Sequence, residues 1–303
     1  MRPVAAPIPE PSVLCNAAIR LAIYRWGAPD DGRPAALLVH GTGFCAPVWQ
    51  SVAESLAPAF VVYGVDRRGH GASSKPADAY HFADFLGDAV RVIDELQLEG
   101  AYAIGHSAGA TDLLLAAALR PRAFRCIFAM EPTAMDVATP GSAAESTEEL
   151  LERAARRRAT FASFDHAYEH YRTRGVFQTW RPELLQAYVQ YGFEPQPDGT
   201  VSLRCTPDIE RAMLRHIFAA MDNSYRGDAR GNPFATLDDV RCPTRIATTA
   251  GSQPIYKQMA ERAKQRLALA SSHHFADVGH TVAQVQPEAV IAAIRDFWAE
   301  HGR

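Results

Sequence analysis

The feature that most restricts this 303-residue chain is only five residues long. Gly105-His106-Ser107-Ala108-Gly109 stands where the apolar run Ala101–Ile104 stops and the Ala/Leu-rich segment Ala110–Leu119 begins. The short run reads as a buried strand and the longer segment as a buried helix. A chain that passes from strand to helix within so few residues holds the middle residue in a strained backbone conformation, so small residues are needed on both sides. The Ser107 hydroxyl is then presented at the carboxyl edge of a sheet, above a helix N-terminus whose dipole favours an oxyanion. The pattern predicts a nucleophile. The competing reading is a glycine-rich helix start with a capping serine.

The rest of the chain supplies a sheet to carry such a turn. Two β-like stretches, 13–16 and Ile19–Trp26, open it. Short apolar runs follow at Ala35–Val39, Phe60–Val65 and Cys126–Met130, with helical patterns at Pro47–Leu56 and Phe82–Leu96. Continuous apolar runs of this length are what parallel strands buried on both faces require. Strands alternating with helices through short connections predict an α/β chain with a mostly parallel, doubly wound sheet. The alternation stops at about residue 132 and returns with a strand at Thr244–Thr249, a helix at Ile255–Leu269, a strand at His274–Val278 and a helix at Glu288–Ala299. Residues 132–240 therefore read as a mainly helical insertion into a core made of 1–131 and 241–303. The stretch Pro197–Leu203 marks a short hairpin or loop within it. Gly/Pro-marked stretches at 139–142 and 223–233 suit hinges.

Serine needs a base. Among 11 histidines, His280 stands apart, because Asp277-Val278-Gly279-His280 follows the last predicted strand and returns to the sheet edge that carries Ser107. His106 reads as packing, and His40 as a brace for the loop His40-Gly41-Thr42-Gly43.

Together G-H-S-A-G, H-G-T-G, Asp66-Arg67-Arg68-Gly69-His70-Gly71 and the terminal D-V-G-H resemble the α/β-hydrolase superfamily, over roughly 13–131 and 241–303. The resemblance implies an α/β-hydrolase fold and a third member, an acid that orients the imidazole. In most members that acid is an Asp shortly after the strand matching Thr244–Thr249. Here the loop reads Ala250-Gly251-Ser252-Gln253-Pro254 and has no carboxylate. The alternative position, the end of the strand before the insertion, holds Glu131; Asp136 and Asp239 are the fallbacks. The resemblance also places oxyanion donors at the backbone N–H groups of Thr42 and Ala108. It makes the D-R-R-G-H-G segment loop architecture and the insertion a cap. The cap is rich in aromatics (Phe161, Phe177, Trp180 and Tyr188 among them), which suggests an apolar pocket. Phe44 and Trp49, beside the oxyanion loop, are candidates for its lining.

A serine nucleophile argues against the haloalkane dehalogenases and epoxide hydrolases of this fold, which use Asp, and leaves acyl chemistry. The acid after the earlier strand resembles that of zearalenone-type lactonases, and the cap segment around Gly199–Pro207 resembles hydrolases linked to fungal toxins. The expected activity is cleavage of a carboxylic ester or lactone through an acyl-serine. The alternatives are a carbon–carbon bond hydrolase of a diketone-like substrate and a ligand sensor with slow turnover.

Composition narrows the partners. With 31 Lys+Arg against 34 Asp+Glu the formal charge is −3, which does not suit a nucleic-acid binder. No apolar run is long enough to span a bilayer. The Pro-rich N-terminus lacks the apolar stretch of a secretory signal. Five scattered cysteines without a C-x-x-C pair suit reduced thiols, a cytoplasmic setting and no zinc site. The expected partner is a small, apolar ester or lactone; no metal or organic cofactor is implied.

Overall fold

The computed structural model describes residues 7–15, 18–28, 32–133, 142–225 and 233–301. Among these, an eight-stranded sheet forms the centre. Its strands are β1 (Ser12–Cys15), β2 (Arg20–Trp26), β3 (Ala35–Val39), β4 (Val61–Val65), β5 (Ala101–His106) and β6 (Phe124–Met130). Beyond the insertion, β10 (Thr244–Thr249) and β11 (Ala270–Phe275) complete it. The spatial order is β1-β2-β4-β3-β5-β6-β10-β11. β1 and β2 join antiparallel, as do β2 and β4, and every later pair is parallel.

The apolar runs form the parallel centre because both faces are covered. Along β3, Ala36 and Leu38 enter one core layer, while Leu37 and Val39 enter the other. That alternation is the pleat of a strand expressed as packing. The first layer lies under α1 (Gln50–Leu56) and the C-terminal helix, where Phe60, Tyr102 and Trp298 pack edge to face. The second lies under α2 (Phe82–Glu95) and α3 (Ala108–Leu119). Helix α3 is buried around nearly its whole circumference, which its Ala/Leu composition permits.

The chain runs from β3 to β4 on one side and then crosses to β5 on the other. Ligand crevices in open parallel sheets lie at such a reversal, at the carboxyl ends of the strands. Here those ends are the His40-Gly41-Thr42 turn and the Ser107 turn.

Between the neighbouring strands β6 and β10 the chain inserts α4 (Ser142–Ala155), β7 (Thr160–Phe161), α5 (Phe164–Tyr171), α6 (Pro182–Gly192), β8 (Phe193–Pro195), β9 (Val201–Leu203) and α7 (Pro207–Tyr225). The 197–203 stretch is the turn and second strand of a β8–β9 hairpin, and β7 completes a three-stranded antiparallel sheet. The aromatic-rich sequence packs as one apolar cluster with the core: Phe161, Tyr188 and Phe193 join Trp49, Val48 and Leu38. Of the hinge stretches, 139–141 and 226–232 lie outside the described residues, as does Asp136.

The last strand departs from expectation. It occupies Ala270–Phe275 rather than His274–Val278, pairing with β10 from Thr244↔Ala270 to Thr249↔Phe275. β11 is an edge strand with a half-exposed, Ser/His-rich pattern, so it lacks the apolar run that marks a buried strand. The helix before it, α8 (Pro254–Arg266), ends before Leu267. Two further helices, α9 (Val282–Val285) and α10 (Pro287–His301), close the chain. Among the described residues no helix is long and apolar enough to cross a membrane.

The turn at Ser107 has no room for side chains on either flank. A Cβ on Gly105 would meet the Ala110 Cα at 2.4 Å, and one on Gly109 would meet the carbonyl oxygens of Val39 and His40 at 2.5 Å. Gly87, mid-helix in α2, meets nothing within 4 Å. Gly109→Ala is expected to destabilise the fold by about 1–3 kcal/mol. Gly87→Ala should stabilise it by roughly 0.5–1 kcal/mol. Urea unfolding checks both, and a neutral Gly109→Ala would contradict the close packing.

Candidate active site

Ser107 sits at φ 54°, ψ −124°, in the positive-φ half of backbone space that a non-glycine residue rarely adopts. The conformation persists because the surroundings over-determine it. The Ser107 N–H donates to the Met130 carbonyl at 2.8 Å, tying the turn to β6. Ala108 opens α3, so its N–H belongs to the first-turn donors that have no intrahelical acceptor. Thr42 and Ala108 line one small cleft together. A Cβ on Gly41 would lie 3.0 Å from the Ser107 Cβ, so the loop carrying Thr42 runs directly against the serine.

Glu131 and His280, 149 residues apart, are brought into contact: Glu131 Oε2 accepts from His280 Nδ1. Glu131 is 1 % exposed and, like Ser107, holds a positive φ, of 45°. Its other oxygen, Oε1, accepts from the Thr249 N–H at 2.9 Å and from Thr249 Oγ1 at 3.0 Å. The Ser252 hydroxyl lies 2.8 Å from Thr249 Oγ1. The loop that carries no carboxylate thus carries the hydroxyls that hold one. Gly251 N–H also donates to the Val278 carbonyl at 2.9 Å, fastening this loop to the turn that leads to His280.

The imidazole of His280 is held between two rings. Tyr256 stacks on it with centroids 4.5 Å apart and 20° between planes, and His106 lies 4.5 Å away on a tilt. His106 does more than pack. Its Nε2 lies 2.8 Å from the His280 carbonyl oxygen, and burial, with His280 beside it, pushes its pKa well below the usual imidazole range. A neutral ring that donates from Nε2 anchors the His280 backbone to the residue next to the serine. Among the described residues Ser107 Oγ makes no hydrogen bond to His280. Such contacts commonly tighten only when substrate is bound.

The other sequence candidates separate. Asp239 is exposed and paired with Arg241 at 3.4 Å, ahead of the amino end of β10. Phe44 stacks over His106 at 6.2 Å and meets Phe177, Trp180 and Tyr188 of the insertion. Trp49, expected at the pocket, is instead 1 % exposed and part of the apolar cluster beneath the insertion. Thr249, Ser252 and Tyr256 were not singled out from the sequence. The hydroxyl-rich Thr248-Thr249-Ala250-Gly251-Ser252 run was the available signal.

The His40-Gly41-Thr42-Gly43 loop is braced by two neutral histidines. His40 Nε2 accepts from the Arg67 N–H at 3.1 Å, leaving Nδ1 to donate to the Gly41 carbonyl at 2.8 Å. His70 Nε2 accepts from the Gly43 N–H at 2.9 Å, leaving Nδ1 to donate to the Arg68 carbonyl at 2.9 Å. Burial pushes the His40 pKa down to about 3, and burial with His40 and Arg67 nearby lowers that of His70. Both rings bind protons more weakly in the folded chain than in the unfolded one, where the value is about 6.5. Their contribution to stability is complete above about pH 6.5 and falls below it, that of His40 being lost as pH falls toward about 3. The thermal midpoint is expected to drop between pH 7.5 and pH 5, and His70→Gln, which keeps an acceptor for Gly43 without titrating, should flatten that drop. An unchanged pH slope in the variant would exclude His70 as its source.

Comparison with known proteins matches this architecture. Residues 36–293 match the alpha/beta hydrolase family model. The chain is similar to 2-(acetamidomethylene)succinate hydrolase of Mesorhizobium japonicum, 25% identical over 264 residues, which is 87% of each chain. It also resembles the crystal structure of E-2-(acetamidomethylene)succinate hydrolase, with a TM-score of 0.75 and 23% identity over 95% of this chain and 98% of that one. The thioesterase domain from the curacin biosynthetic pathway follows at a TM-score of 0.73 and 22% identity, over 95% and 99% of the two chains. The sheet order, the strained serine turn and the family match agree, and the chain belongs to the alpha/beta hydrolase family.

Proposed function

We propose that the protein is a serine hydrolase that transfers an acyl group from a small carbonyl substrate to water. Ser107 Oγ attacks the carbonyl, His280 Nε2 takes its proton, and Glu131 holds the imidazole through Nδ1 and stabilises the cation that forms. The N–H groups of Thr42 and Ala108 receive the oxyanion, a contribution of roughly 3–4 kcal/mol to the barrier for one such donor. The imidazolium gives that proton to the leaving alcohol or amine as the tetrahedral intermediate collapses to the acyl-serine. His280 then takes a proton from the attacking water and returns it to Ser107 Oγ as the acid product leaves. The observation that carries the reading is the buried Glu131 carboxylate on His280 Nδ1, at the edge where the strained Ser107 turn emerges.

Ester or lactone carbonyls were the expected substrates. The name of the similar 2-(acetamidomethylene)succinate hydrolase widens that to amide carbonyls, and to molecules that carry carboxylates. The same three residues would serve the carbon–carbon bond hydrolase, whose diketone-like substrate also needs a polar pocket. Residues 132–240 are assigned as the cap over this site, because Phe44 beside the serine turn meets Phe177, Trp180 and Tyr188 from that segment. A ligand sensor of the same fold would turn over slowly or not at all.

A fluorophosphonate probe should label the wild type at Ser107 and leave Ser107→Ala unmodified, and the variant should lose turnover of short phenyl esters. Labelling elsewhere, or retained turnover, would overturn the serine mechanism. Glu131→Gln is expected to lower kcat by roughly three to four orders of magnitude. Asp239→Asn should leave kcat unchanged, since Asp239 is exposed and bonded to Arg241. The reverse pattern would move the acid.

A further inference from the structure

The cleft that holds Thr42 and Ala108 also contains Arg67, Phe85, Met213 and His216. Most of it is apolar, yet two buried polar atoms among its residues have no hydrogen-bond partner among the described residues: Thr42 Oγ1 and Arg67 Nη1. Buried donors left without a partner are uncommon, and a guanidinium nitrogen is an expensive one to strand.

Arg67 is 5 % exposed and held on every other side. Its backbone N–H donates to His40 Nε2 at 3.1 Å. Its Nε and Nη2 donate side-on to Asp112, at 2.6 and 3.3 Å. Its face lies 4.1 Å from the centroid of the Phe85 ring. A side-on bond through Nε and Nη2 leaves Nη1 on the opposite edge of the planar group, directed away from Asp112. Asp112 and Arg67 line an inner cavity, and Arg67 lines the cleft as well. Asp112 lies four residues after Ala108 on α3, roughly 6 Å along the helix axis. The Arg67 guanidinium, fixed by Asp112 and Phe85, is therefore preorganised beside the cleft that Thr42 and Ala108 also line.

We propose that the Arg67 Nη1 edge, with the Thr42 hydroxyl, is a recognition site for a second oxygen acceptor on the substrate. The substrate class is an acyl compound bearing a carboxylate or carboxamide oxygen within a few bonds of the scissile carbonyl. This rests on the serine hydrolase reading given above. Arg67 acts as a substrate-positioning residue, and its charge is already balanced by Asp112, so both the anionic and the neutral acceptor can be received.

The test is a matched series of phenyl hemisuccinate, phenyl succinamate and phenyl pentanoate, with rates on Ser107→Ala subtracted to remove spontaneous cyclisation. The wild type should prefer one or both acceptor-bearing esters over the pentanoate by about tenfold or more in kcat/KM, the range of one hydrogen bond to a charged group, and mainly through KM. In Arg67→Met/Asp112→Leu, which removes both charges together, that ratio should fall to within about twofold. A wild-type ratio near unity, or a ratio that survives the double substitution, overturns the proposal. The wild-type series decides it even if the variant does not fold. Fluorophosphonate labelling of Ser107 separates the two readings: no labelling defeats the serine mechanism, whereas labelling with a ratio near unity defeats only the Arg67 site.

Discussion

The first turn of α3 lies against the carboxyl end of β3 so closely that no side chain fits between them at Gly109. Everything proposed for the site follows from that approach. It puts the His40-Gly41-Thr42 loop beside Ser107, and Thr42 and Ala108 line one small cleft. His40 and His70 then fix the loop from behind by accepting backbone N–H groups, a role open only to neutral imidazoles. Short-range sterics at two glycines and hydrogen bonding by two buried rings together position an otherwise exposed turn. Oriented N–H donors that need no rearrangement are the form of charge stabilisation that works best in a water-poor site.

The core of the fold was legible because its strands are nearly pure apolar runs. β5 is buried at all six residues, and its run stops where the G-H-S-A-G turn begins. The edge strand β11 was misplaced for the opposite reason: half-exposed and rich in Ser and His, it has no apolar run, and its position is set by pairing with β10. The serine and histidine candidates could be read from local context, each at the end of a predicted strand. The acid could not be read that way. Glu131 depends on a partner 149 residues distant, and only the missing carboxylate after β10 pointed to it.

That missing carboxylate has a structural counterpart. The hydroxyl of Thr249, its N–H and the Ser252 hydroxyl occupy the loop in place of an acid and bind Glu131 Oε1 directly or through one another. A buried carboxylate needs its lone pairs satisfied, and these groups do so without adding charge. His106 shows a related gap in sequence reading. A histidine beside a nucleophile reads as packing, yet its bond to the His280 carbonyl requires a contact across 174 residues. The D-R-R-G-H-G segment divides similarly. Asp66, accepting from the Ala46 and Ala72 N–H groups, and His70 hold the loops, as expected of architecture, while Arg67 is among the residues that line the cleft.

Glu131 stands one residue before Pro132, where the chain leaves the sheet, and is clamped to Thr249 on β10, the strand with which the chain returns. The two roots of the insertion are thereby sewn together by the carboxylate itself. The Glu131 N–H adds a second stitch, donating to the Ala247 carbonyl at 2.9 Å. The intervening helices are thus mounted on a residue anchored on both sides. The carboxylate that holds the imidazole is at the same time the fastening of the insertion to the sheet.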